Sequence, residues 1–210
     1  MPWADHLVLI VDDDAGLREA LQDLLAASGL RSVALGSAAE YLAYPRPDVP
    51  ACVILDVELP DINGLDLQRQ IADQHHPPII FITGHGSIAT SVRAIKAGAL
   101  DFLTKPFDDQ ELLNLVRAAL ELDRERRVER AALQSLAQRF ESLTPREREV
   151  LPLVVSGLLN KQAAAQLGIS EVTFQIHRSN VMRKMAADSF ADLVRIAGSL
   201  NIPASHDRRG

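Results

Sequence analysis

The chain has 210 residues, enough for one or two domains. Hydrophobic residues make up 47% and charged residues 24%, proportions of a soluble globular protein that exclude disorder and collagen-like repetition. Net charge is −6, but residues 1–120 hold 8 Lys/Arg against 17 Asp/Glu (−9), and residues 121–210 hold 14 against 11 (+3). An acidic module joined to a mildly basic one is implied, with the basic half a candidate for nucleic acid. The longest apolar runs, such as 7–11 and 51–55, are strand-sized and far short of the ~20 residues of a membrane span. Five acids and no basic n-region in the first twenty residues speak against a secretory signal. The single cysteine, Cys52, lies in an apolar run and reads as a buried thiol, which points to a reducing cytoplasm.

Strand-like runs rich in Val, Ile and Leu occur at 7–11, 31–35, 51–55, 79–82 and 100–103. They do not alternate strictly, as expected of strands covered on both faces. Helical patterns lie between them at 16–28, 38–43, 65–73 and 87–97, two of them closed by Gly29 and Gly98, and a further helix starts near Asp109. The β-α order, repeated five times, predicts an α/β doubly wound five-stranded parallel sheet. After Leu120 the strand signal stops. Residues 122–140 are charged and helical, with Leu133, Leu136, Phe140 and Leu143 as a short apolar stripe. This segment reads as a solvated helical linker or, alternatively, a dimerising coiled coil.

A second domain opens at Thr144-Pro145-Arg146-Glu147, whose spacing predicts a capping box with Pro at the first helical position. Gly157 ends that helix. Asn160 is placed to cap the next, which closes at Gly168; Ser170 to cap a third over 171–185; and Asp188 or Ser189 to cap a fourth through Ser199. Two short helices joined by Gly168-Ile169-Ser170 have the turn chemistry of an all-α helix-turn-helix domain. The predicted organisation is 1–122, a helical linker over 123–141, and 142–210.

Asp12, Asp13 and Asp14 follow the first predicted strand, Asp56 ends the third, Thr83 follows the fourth and Lys105 the fifth. Loops at the carboxyl ends of parallel strands converge on the ligand site, so these groups should meet at one edge. Taken singly, the acids are helix caps, Thr83 a turn former and Lys105 a surface charge; their joint arrival at four strand ends favours a site. Crowded carboxylates repel unless a hard divalent cation offsets them, and Mg²⁺ suits oxygen ligands. A carboxylate beside Mg²⁺, Thr and Lys is placed to attack phosphorus.

Val-Asp-Asp-Asp at 11–14, Leu-Asp-Val-Glu-Leu-Pro-Asp at 55–61, Ile-Thr-Gly-His-Gly at 82–86 and Asp-Phe-Leu-Thr-Lys-Pro-Phe at 101–107 resemble a two-component receiver domain of the CheY-like, flavodoxin-like architecture. The resemblance implies that Asp56 is the phosphoacceptor and that Asp13, Asp56 and the backbone carbonyl of Glu58 hold Mg²⁺, with Asp12 acting through bound water. It also implies that Thr83 and Lys105 grip the phosphoryl group, that Phe102 is the switch aromatic and that Lys105–Pro106 is cis. Glu58 and His85 fall at positions that influence dephosphorylation in receivers.

Residues 144–151, Asn160-Lys161 and 169–185 resemble the LuxR-type helix-turn-helix, and the whole chain is similar to response regulators of the FixJ/NarL class. Phe174, Val181 and Met185 should seat the recognition helix, leaving Gln175, Ile176, Arg178, Ser179 and Arg183 outward. Arg suits phosphates, Gln adenine edges and Ile a thymine methyl. By resemblance Gln175, Ile176 and Ser179 read bases, and Lys161, Thr173 and Arg178 contact phosphates. Three positions depart from the family pattern: Ala163, usually aliphatic; Phe174, usually Val; and Gln175, often Lys. Pro152 stands inside a predicted helix.

The implied function is a cytoplasmic transcription regulator rather than an enzyme. A sensor histidine kinase phosphorylates it on Asp56; it dimerises through the face built by 87–97 and 99–105, binds promoter DNA and works with RNA polymerase. Two readings compete. A phosphate-independent DNA-binding regulator would use the receiver only to dimerise. A haloacid-dehalogenase-like phosphatase also uses an Asp-x-Asp after strand one (Asp12, Asp14), but leaves Asp56 without a task.

Overall fold

A computed structural model describes residues 6–45, 47–72, 76–84 and 88–203. Two compact units divide the chain, 1–127 and 128–210.

In the first unit β1 (Leu7–Val11), β2 (Ser32–Leu35), β3 (Ala51–Asp56), β4 (Ile79–Thr83) and β5 (Asp101–Thr104) alternate with α1 (Ala15–Ala27), α2 (Ala38–Ala43), α3 (Gly64–Ile71) and α4 (Ile88–Lys96). The strands form one parallel sheet in the order β2-β1-β3-β4-β5. Both faces are covered, which explains the unbroken apolar runs. Leu9, Val11, Val53, Leu55 and Phe81 pack with Ala38, Tyr41, Leu65, Leu67, Ile71 and Ala94. On the other face Val8, Ile10, Cys52, Ile54, Ile80 and Ile82 meet Leu21 and Leu25 of α1 and Leu112, Val116 and Leu120. The second strand starts one residue later than expected and the fifth is displaced by one, ordinary end effects of a periodicity argument. Asp73 and Ser87, the expected ends of two helices, lie outside the described residues.

Residues 123–141, expected as a helical linker, are helical and continuous with the helix that precedes them. Helix α5 runs from Asp109 to Glu141, 33 residues or about 50 Å. No Gly or Pro occurs between those residues, so nothing in the backbone chemistry ends the helix where its sheet contacts run out. The apolar stripe near its end divides: Leu136 and Phe140 pack on the core of the second unit, where Leu143 is buried, and Leu133 stays 39% exposed.

The second unit adds α6 (Pro145–Val155), α7 (Asn160–Gln166), α8 (Glu171–Met185) and α9 (Phe190–Ser199). Thr144 caps α6 in a full capping box: its Oγ1 accepts from Glu147 N at 3.3 Å, and Glu147 Oε2 accepts from Thr144 N at 2.8 Å. The helix runs through Pro152, which has no N–H to donate to the Arg148 carbonyl, so α6 forms with one backbone hydrogen bond missing. Ser170 caps α8 and Ser189 caps α9. One expectation fails. Asn160 is not a cap but the first residue of α7; Leu159 holds the cap position, and its N–H donates to Gln162 Oε1 at 3.1 Å.

Candidate functional site

β1 and β3 are neighbours in the sheet, so their carboxyl ends deliver Asp12, Asp13 and Asp56 to one place. Carboxylate oxygens of the three lie within 4.8 Å of one another. Asp12 is fully buried, Asp56 nearly so, and Asp13 exposed. Asp14 does not join them: its Oδ1 accepts from Gly16 N at 2.9 Å and Leu17 N at 3.2 Å, capping α1. Lys105, one residue past β5, crosses the gap left by the buried acids. Its Nζ donates to Asp12 Oδ2 at 2.8 Å and to Asp56 Oδ2 at 3.1 Å.

The electrostatics are unbalanced. Burial pushes the Asp12 carboxyl above its usual range, and Asp56 adds to this against the hydrogen bonds from Lys105 and Asp14 N. Burial alone would lower the Lys105 ammonium, but its bonds to Asp12 and Asp56 outweigh that and hold it above the usual lysine value. One ammonium thus faces three carboxylates, an all-oxygen donor set that fits a hard divalent cation.

The β3–α3 turn is pressed onto this site. A side chain at Gly64 would place a Cβ 2.3 Å from the Asp56 carbonyl oxygen, so only glycine allows the approach. Glu58 N donates to Asp56 Oδ1 at 3.2 Å, and Glu58 pairs with Asn63 in an isolated antiparallel bridge. Thr83 ends β4 fully buried, opposite Thr104 in register, and its carbonyl accepts from Lys105 N at 2.8 Å. The Lys105–Pro106 peptide is cis. Phe102 is half-buried, its ring centroid 6.3 Å from that of Phe81. His85 and His75 lie outside the described residues. His76 bonds the Pro77 carbonyl and the Tyr41 hydroxyl.

Two polar residues at this edge were not singled out from the sequence. Arg18 Nη1 donates to the Asp12 carbonyl oxygen at 2.6 Å, tying α1 back to the acidic loop. Asp61, in the turn between β3 and α3, accepts from the N–H groups of Ala38 and Ala39 at 3.2 and 2.8 Å. The Ala39 bond foremost holds its carboxyl below the usual range. Spacing alone carries no signal for either contact.

In the second unit α8 buries Phe174, Val181 and Met185 and exposes Gln175, Ile176, Ser179 and Arg183. Lys161 is exposed on α7. Thr173 is half-buried, its Oγ1 2.8 Å from Ser170 Oγ. Arg178 is half-buried, with Nη1 bonded to Asn160 Oδ1 at 2.9 Å.

A doubly wound parallel sheet with an acidic cluster and a lysine at its strand ends is the arrangement of a receiver-type α/β domain, and here a helix-turn-helix follows it. Residues 8–117 match the family model described as the response regulator receiver domain, and residues 141–197 match bacterial regulatory proteins of the luxR family. Nodulation protein W of Bradyrhizobium diazoefficiens is 51% identical over 95% of this chain and 88% of its own. The response regulator protein TodT of Pseudomonas putida is 46% identical over 92% of this chain and 86% of its own. The solved structure of the response regulator StyR superposes with a TM-score of 0.83 at 43% identity, covering 93% of this chain and 99% of that one. The chain belongs to the response regulators of two-component systems that join a receiver to a luxR-family DNA-binding domain. This family is one of transcriptional regulators. No helix among the described residues is long and apolar enough to cross a membrane.

Proposed function

We propose that a sensor histidine kinase phosphorylates Asp56 and that the chain then dimerises, binds promoter DNA and acts on RNA polymerase in the cytoplasm. Residues 1–122 take the phosphoryl group, 142–210 bind DNA, and 123–141, the second half of α5, join them. The observation that carries the reading is the convergence of Asp12, Asp13 and Asp56 within 4.8 Å, with Lys105 bonded to both Asp12 and Asp56.

An Asp56 carboxylate oxygen forms the bond to phosphorus as the phosphorus–nitrogen bond of the phosphohistidine breaks, and the leaving imidazole nitrogen takes a proton. Lys105 already touches Asp56 and is placed to neutralise a phosphoryl oxygen there. The buried Thr83 hydroxyl at the end of β4 is the second donor, and Phe102 is the ring that follows its movement into a different receiver state. Asp12, Asp13, Asp56 and the Glu58 carbonyl are the donors that fit Mg²⁺, which when bound neutralises charge on the transferred group. In the second unit Gln175, Ile176 and Ser179 read base edges, and Lys161, Thr173, Arg178 and Arg183 meet phosphates.

The test treats wild type and Asp56→Asn with a small-molecule phosphodonor and Mg²⁺, reading intact mass and binding to fragments of candidate promoters. The expected result is one phosphoryl group on wild type, none on Asp56→Asn, and tighter DNA binding only by the phosphorylated form. Equal DNA affinity with and without phosphate would favour the phosphate-independent reading. Phosphate retained on Asp56→Asn and lost on Asp12→Asn would overturn the assignment of the acceptor.

A further inference from the structure

Asn160 opens α7, a position where its residue type has no helical rationale. Asparagine is a poor helix former and suits a helix start by capping, yet the cap position belongs to Leu159. Its side chain instead reaches across to the middle of α8. Oδ1 accepts from Arg178 Nη1 at 2.9 Å, between residues 18 apart in the chain. Both residues are half-buried. Arg178 also borders a hollow of about 300 Å³ whose walls include Leu159, Phe174 and Phe190, apolar surface that suits the aliphatic stem of an arginine.

We infer that Asn160 is a positioning residue for DNA binding, which holds the Arg178 guanidinium across the α7–α8 junction, oriented for a backbone phosphate of duplex DNA. This rests on the reading of α8 as the DNA-binding helix. The chemistry of the pair fits the task. A guanidinium has five N–H donors, and Asn160 occupies one of them. Its partner is neutral, so the full positive charge remains for phosphate; a carboxylate at 160 would neutralise it. A long, mobile arginine loses rotamer freedom when it grips a phosphate, and tethering it beforehand removes part of that loss from the binding step. The tether also joins the scaffold helix to the recognition helix at the level of Arg178, so the cation moves with both.

The experiment uses the full-length chain and a mixed-sequence DNA duplex, because phosphate contacts are independent of sequence. Fluorescence anisotropy across a salt series gives Kd and the slope of log K against log salt for wild type, Asn160→Ala, Arg178→Ala and the double variant. Arg178→Ala should lower the magnitude of the slope by about one unit, since one phosphate contact is lost. Asn160→Ala should raise Kd about 2- to 10-fold with the slope unchanged, because the charge is present but no longer held. The double variant should bind no more weakly than Arg178→Ala alone. A merely structural role for Asn160 would instead give losses that multiply in the double variant, and that result overturns the inference. So does an Asn160→Ala variant that binds like wild type. An unchanged slope for Arg178→Ala overturns the inference and the reading of α8 on which it rests. If Asn160→Ala does not fold, as judged by circular dichroism, Asn160→Ser serves in the same cycle with the same expected outcomes.

Discussion

Ala163 and Phe174 are the two positions where the helix-turn-helix departs from its family in size, one smaller and one larger than usual. Both are buried in a single core, at 0% and 1% exposure, and the helices that carry them pack on one another. Phe174 is among the largest fully buried side chains of the protein. These facts make volume compensation testable. Complete truncation of a buried Phe costs about 3–5 kcal/mol, so Phe174→Val, which leaves a smaller apolar side chain in place of the ring, should cost about 2–3 kcal/mol. Ala163→Ile alone inserts bulk into a filled site and should cost about 1–3 kcal/mol. If the two sites were independent, the double variant would lose the sum. Compensation predicts that it recovers at least ~1 kcal/mol of it, within the ~0.5–3 kcal/mol range of contacting pairs.

Native-state hydrogen exchange at amides of α8 in the full-length chain isolates the second unit from the first, which a global melt of a two-unit chain does not. DNA affinity measured on the same four proteins then asks whether the packing sets the angle of the helix bearing Gln175, Ile176 and Ser179. Additivity within ~0.3–0.5 kcal/mol would refute the compensation argument.

Further expectations concern polar side chains, two of them buried and one exposed. The hydrogen bond from Lys184 at 2.7 Å, with help from Thr144, holds the Glu147 carboxyl below its usual 4.5, so its stabilisation is complete above that value and is lost as pH falls through the lowered one. Glu147→Gln should cost about 2 kcal/mol at neutral pH and flatten the acid limb of an α8 exchange profile; an unchanged limb would remove Glu147 as its cause. Asp12 has the opposite sign: its carboxyl is raised by burial, so its ionised form opposes folding and stability rises as pH falls through the raised value. Asp12→Asn should therefore raise the receiver's melting temperature in EDTA at pH 7 and gain less from added Mg²⁺ than wild type, which calorimetry can check. Gln175→Ala should relax preference at one base pair and leave the salt slope alone, as a binding-site selection experiment would show.

The strand-end acids were legible because two periodic signals coincided: apolar runs fixed where strands end, and parallel topology fixed that those ends share an edge. The same logic seated α8, since Phe174, Val181 and Met185 repeat at helical steps and all three are buried. What the sequence concealed was the capture of charged side chains by distant backbone. Asp123 sits in a run of charges that reads as solvated, yet it is buried and accepts from Ala51 N at 2.9 Å, 72 residues away. Its neighbour Arg127 donates to it at 2.7 Å and to the Pro47 carbonyl at 2.9 Å. No local pattern encodes such a contact, because it depends on which sheet edge a helix passes.

The same capture bears on charge as a guide to DNA binding. The balance of +3 in the C-terminal half counts every cation alike, but many of them already serve the fold. Arg146 donates to the Leu167 carbonyl at 2.7 Å, Arg148 to that of Glu141 at 2.8 Å, and Lys184 to Glu147 and the Ser142 carbonyl. These carbonyls lie at or just beyond helix ends, where backbone acceptors lack helical partners and a cation is favoured by the aligned dipoles. Such side chains keep their charge but give up reach. Lys161 and Arg183 remain exposed, and Arg178 is held by a neutral amide that leaves its charge intact. An interface for phosphate is therefore defined by how each cation is held, and two domains with the same net charge can differ in it completely.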